Sequence, residues 1–149
     1  MKKEFVPYEL AVKLKDLGFD EPCFGYYVDG ELRGINLGIE ELGGIEPYYQ
    51  RFGFHTLNNH DIDNPNKIVV TAPTFSQAFR WLLNRHNLYG IIIPTETMNW
   101  TFKTMTVVED VIEVPPYNHV DANDYSTYEE AELACLEKLI EIVENEKTL

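Results

Sequence analysis

A chain of 149 residues, 44% apolar and 13% aromatic, is the size of one domain and can bury about 68–70% of its unfolded surface. Its formal charge of −13 repels phosphate, which argues against direct nucleic-acid binding and against anionic membrane surfaces. No apolar run approaches the roughly 20 residues of a bilayer span, and no apolar export segment follows Lys2-Lys3, so a cytoplasmic location is expected.

The first expected element is a helix from about Pro7 to Leu17, with Leu10, Leu14 and Leu17 at helical spacing. Gly18 suits the left-handed position that ends a helix, and Phe19 then falls where a Schellman motif sends an apolar side chain back onto Leu14. Cys23 to Val28 reads as a short strand closed by the turn Asp29-Gly30. From about 29 to 66 the pattern weakens into a long irregular segment, with Tyr48 to Phe54 its one persuasive strand.

Thr74 and Gln77 are spaced as a capping box, opening a second helix with Phe75, Ala78, Phe79 and Leu82 on one face. Asn87 is its expected stop. Gly90 to Ile93 resumes as strand. Met98 to Val108 then alternates Trp100, Phe102, Thr104 and Thr106 against Lys103 and Met105, so the two predict an antiparallel hairpin. A polar linker is expected over about 115–125. The last helix starts at Ser126 or Thr127, since each has a Glu three residues on. Its apolar stripe is Tyr128, Ala131, Cys135, Leu139 and Ile142, widened by Leu136, Ile140 and Val143. Glu130, Glu137, Glu141 and Glu144 take the opposite face.

The order α-β-(β)-α-β-β-α predicts a single α+β domain over 1–149: a small antiparallel sheet of three or four strands, with about three helices packed mainly on one face. Residues 109–149 carry a net −10 and residues 64–108 a net +3. This split predicts the last helix beside the second helix and the hairpin. Solubility accounts for the acidic excess itself.

Three blocks of wording, Lys15-Asp-Leu-Gly-Phe-Asp-Glu-Pro-Cys-Phe-Gly-Tyr-Tyr27, Ala72-Pro-Thr-Phe-Ser-Gln-Ala-Phe-Arg-Trp81 and Tyr125-Ser-Thr-Tyr-Glu-Glu-Ala131, carry a resemblance. In that order they resemble a set of short uncharacterised proteins encoded in phages and prophages of gut Bacteroidetes. The resemblance implies expression in a bacterial cytoplasm from a mobile element. It carries no activity and no catalytic residues, and it does not cover 29–66 or the linker before Tyr125.

Chemistry-bearing patterns are sparse. Cys23 and Cys135 are far apart, lack neighbouring cations, and read as buried reduced thiols. His55, His60, Asp61 and Asp63 have the residue types of a metal-assisted hydrolytic site, but their spacing matches no closed site, and the surrounding asparagines read as a polar loop. No nucleophile elbow or phosphate-binding glycine loop is present. No cofactor and no catalytic residue is therefore assigned. The residues read as a recognition surface are Tyr27, Tyr49, Trp81 and Arg85, with Arg85 stacking over the Trp81 ring.

The leading expectation is a non-enzymatic accessory protein that binds another protein, with a homodimer as a further option. An acidic nucleic-acid mimic, its last-helix glutamates replacing phosphates, and a metal-assisted hydrolase are the alternatives.

Overall fold

The computed structural model describes residues 4–34, 58–59, 67–108, 111–113 and 119–147. The chain divides into two compact units, Met1–Thr74 and Phe75–Leu149. The reason lies in the strand pairing: each half closes its own antiparallel sheet, and none of the registers crosses from one half to the other. The α+β class holds, and the expected sheet of three or four strands occurs twice. The expected strand Tyr48 to Phe54 and the start of the 115–125 linker lie outside the described residues.

In the first unit, α1 spans Tyr8–Leu17. Pro7 sits at its N-cap, where the missing N–H costs nothing, and its carbonyl accepts from Ala11 N at 2.9 Å. Gly18 ends the helix at φ 101. Phe19 N donates to Leu14 O at 2.8 Å and Gly18 N to Lys15 O at 2.9 Å, the two bonds of a Schellman motif, with Phe19 fully buried.

Strands β1 (Gly25–Val28) and β2 (Glu31–Gly34) form a hairpin with Val28 opposite Glu31. Asp29 and Gly30, at φ 50 and 84, supply the two left-handed residues that a tight hairpin of this twist requires. The first residues of the segment expected to be irregular, 29–34, are thus a turn and a strand, and most of the remainder lies outside the described residues.

Strand β3 (Val69–Ala72) pairs with the other side of β1, so β1 is central and all four of its residues are buried. The outer edge of β3 is closed by side chains. Lys15 Nζ donates to Val69 O at 3.3 Å, and Asn59 Oδ1 accepts from Thr71 N at 3.0 Å while its Nδ2 donates to Phe19 O at 2.8 Å.

In the second unit, α2 (Phe75–His86) starts immediately after Thr74 and buries Phe75, Ala78, Trp81 and Leu82. Asn87, at φ 56, ends it as expected. Strands β4 (Leu88–Pro94) and β5 (Trp100–Val108) pair residue for residue from Leu88↔Thr106 to Pro94↔Trp100. The far side of β5 is covered along its length: by β6 (Val111–Glu113), by β7 (His119–Val120), and by Tyr125, which exchanges two backbone bonds with Trp100. Residues 119, 120 and 125 of the predicted linker therefore pair with β5.

Helix α3 (Tyr128–Lys147) opens on a reciprocal cap. Glu130 N donates to Thr127 Oγ1 and Thr127 N to Glu130 Oε2, each at 3.2 Å, which selects Thr127 over Ser126. It packs on β4, β5 and α2, as the charge split predicts. Ala131, Cys135, Leu136, Leu139, Ile140, Ile142 and Val143 are buried, while Glu130, Glu137 and Glu141 face solvent.

Gly90 makes this packing possible. A Cβ there would lie 2.5 Å from Cys135 Sγ on α3 and 3.0 Å from Phe79 on α2, so both helices press on one face of β4. By strand alternation Leu88, Gly90 and Ile92 face the helices, and Tyr89, Ile91 and Ile93 face the other way. Leu88 is buried and Tyr89 is 43% exposed, in keeping with that assignment.

Candidate functional site

Of the sequence-predicted recognition residues, Tyr27 and Trp81 are buried and Arg85 is exposed. Tyr27 belongs to the first unit and is buried, because β1 is a central strand covered on both faces. Its phenol donates to Val6 O at 2.6 Å and its ring meets Tyr8 edge-on at 5.5 Å. Burial raises the Tyr27 pKa, with the charge of Glu9 adding to the shift.

Trp81 is also buried, since Ala78 lies between Trp81 and Leu82 around the helix and the buried arc includes all three. Its ring partner is His86, edge-on at 4.9 Å, and not Arg85, which is exposed. His86 Nε2 is buried with no hydrogen-bond partner among the described residues, and burial lowers the pKa of the ring. Tyr49 and the His55, His60, Asp61 and Asp63 cluster lie outside the described residues. Among the described residues there is no grouping of three or more His, Cys, Asp and Glu able to hold a metal, and no helix is long and apolar enough to cross a membrane.

Among the described residues the large apolar side chains most open to solvent are Met98, Ile68 and Phe24, with Tyr89 and Tyr128 less so, and the most exposed of them, Met98, stands in the turn of the β4–β5 hairpin. The turn from Thr95 to Asn99 is closed by Met98 N donating to Thr95 O at 3.2 Å and Thr95 N to Asn99 O at 2.9 Å. Met98 occupies the left-handed position at φ 62 and is 92% exposed. Glycine or asparagine ordinarily fills that position, because a longer side chain there costs about 1–2 kcal/mol. Two residues on, the Trp100 ring meets Tyr128, the first residue of α3, edge-on at 5.3 Å, and Tyr128 is 43% exposed.

Asp121 holds the remaining side of this face in place. Its backbone N donates to Phe102 O at 3.0 Å, and its carbonyl accepts from Thr101 Oγ1 at 2.9 Å. Its carboxylate accepts from Tyr125 Oη at 2.6 Å and from Asn123 Nδ2 at 3.1 Å. Burial, reinforced by that hydrogen bond and by the charge of Asp121, pushes the Tyr125 phenol up to about 12. Thr97 Oγ1 donates to Asp124 Oδ2 at 2.9 Å, tying the hairpin tip to the same segment. Two stretches distant in sequence, 95–100 and 121–130, are thus tied together, with Met98 and Tyr128 both open to solvent.

Sequence reasoning found Trp100 but not Met98. The only sign was negative: a tight turn, Thr-Glu-Thr-Met, with no glycine or asparagine where the backbone needs one.

Cys23 and Cys135 are free and fully buried, and burial pushes both thiols up to about 12. Neither is a thiolate at neutral pH, so neither is an activated nucleophile. A scan against protein-family models, a search of curated proteins and a search of solved structures each return no match.

Proposed function

We propose that this is a non-enzymatic accessory protein of a phage or prophage, acting in the bacterial cytoplasm by binding another protein through the hairpin-tip face. The observation that carries this reading is Met98. A long apolar side chain stands almost fully in water, on a backbone conformation that disfavours it. Strain kept at an exposed position is a hallmark of a site retained for contact rather than for stability. Tyr128 beside Trp100 supplies the aromatic anchor common at such contacts, and the Asp121 clasp supplies rigidity, which lowers the entropy cost of binding.

Cross-linked capture from a gut Bacteroidetes lysate tests it. Met98→Asp, whose short side chain tolerates the left-handed backbone, should melt at the wild-type temperature or slightly above, yet recover its specific partner about tenfold less well. An identical set of captured proteins for wild type and for the Met98→Asp, Tyr128→Ala double variant would remove the face from the function.

A further inference from the structure

We propose that the chain forms a two-fold dimer in which the outer edges of β4 from two copies pair antiparallel, centred on Ile91, so that the second unit's sheet runs on from one copy into the other. Sheet edges invite pairing with another strand, and proteins ordinarily blunt them with charge, bulges or covering groups. Among the described residues, edge strand β2 carries the charges of Glu31 and Arg33, and the outer side of β3 and the far side of β5 are covered. Lys15 and Asn59 occupy outward backbone groups of β3, and β6, β7 and Tyr125 cover the far side of β5.

Strand β4 has no charge, bulge or cover among the described residues, and its one blunting residue, Pro94, lies at its very end. Among the described residues no strand pairs with its outer side. Its seven residues, Leu-Tyr-Gly-Ile-Ile-Ile-Pro, hold no charge, and their pairing with β5 is one to one with no bulge. Tyr89 is 43% exposed, and Ile91, Ile92 and Ile93 are only partly buried. Pro94, which lacks an N–H, sits at the strand end where an edge tolerates it.

The occupant that fits is a second copy. Residues paired across a sheet share a face, so a symmetric pairing has to be centred on a residue and not between two. Centring on Ile91 pairs all seven: Leu88 with Pro94, Tyr89 with Ile93, Gly90 with Ile92, and Ile91 with its own image. The helix-facing residues of both copies then line one face, and Tyr89, Ile91 and Ile93 of both line the other. Charge agrees with this direction. Arg85 precedes the strand and Glu96 follows it, so antiparallel pairing sets the basic end of each copy beside the acidic end of the other. Parallel pairing would set like beside like.

Sedimentation equilibrium of the full chain should give twice the 17.3 kDa monomer mass. In Ile91→Glu the new carboxylate lies opposite Lys103 within its own chain, which favours the fold. Across the two-fold axis, however, it faces its own image. Dimer affinity should therefore fall about tenfold or more while the far-UV spectrum stays unchanged. Glu96→Arg should weaken the dimer, and adding Arg85→Glu should restore it. Ile91→Cys should cross-link to a covalent dimer on mild oxidation, since Cys23 and Cys135 are buried and do not compete. A wild-type chain that stays monomeric as concentration rises overturns the proposal, including the case in which a foreign strand takes the edge. So does a dimer that persists unweakened in folded Ile91→Glu, and, should that variant not fold, so does a failure of Ile91→Cys to cross-link.

Discussion

A methyl group at position 90 would lie 2.5 Å from Cys135 Sγ, so Gly90→Ala has to displace α3, Phe79 or both. Overpacking of this kind costs about 1–3 kcal/mol. The denaturation midpoint should fall accordingly, and Cys135→Ala introduced into the same chain should recover part of the loss by removing the sulfur. Two equal and additive penalties would show that the helices do not meet the strand there. From sequence Gly90 reads simply as the start of a strand, because nothing local reveals what approaches a glycine from above. Asn87 is the opposite case. Its role as helix stop needs only its own left-handed tolerance and its place after a helical run, so it is visible in sequence. Trp81 shows the intermediate difficulty: its angle to Leu82 points outward, yet a helix pressed between neighbours buries an arc wide enough to include it.

At the level of elements, the start of α3 distinguishes two overlapping capping signals. Thr127 and Glu130 exchange hydrogen bonds with each other's backbone, so Thr127→Ala should destabilise by about 1 kcal/mol. Ser126→Ala should fall within about 0.5 kcal/mol of wild type, as exposed changes usually do. Equal midpoints for the two in urea would show that the helix begins elsewhere. Farther along, Leu139 is fully buried and Glu137 is exposed. Leu139→Ala should cost about 2–5 kcal/mol through transfer and cavity terms. Glu137→Gln should cost less than about 0.5 kcal/mol, and calorimetric melting of the two variants side by side checks the contrast. Helix starts, stops and stripes were legible because each is set by neighbours within two turns. The pairing of residues 119, 120 and 125 was not, because it depends on β5, a partner some twenty residues back that no local pattern announces.

For the molecule as a whole, the buried thiols and phenols set a direction for stability against pH. Cys23 and Cys135 rise from 9.0 to about 12, Tyr125 rises from 10.0 to about 12, and Tyr27 also rises. The folded chain therefore keeps protons that the unfolded chain releases above pH 9.0. Stability should be fully present below that value and lost as pH climbs toward 12. Circular dichroism across that range should show alkaline unfolding, and Cys23→Ala with Cys135→Ala should move its onset to higher pH. An onset unmoved by that pair would mean the thiols are not protected in the folded state. The α+β class, the helices and the β4–β5 hairpin follow from periodicity and capping alone, since those depend on contacts a few residues apart. The division into two sheets, the burial of Tyr27 and Trp81, and the hairpin-tip face at Met98 do not follow. They arise from strand order and helix docking, which bring together residues that the linear pattern leaves unrelated.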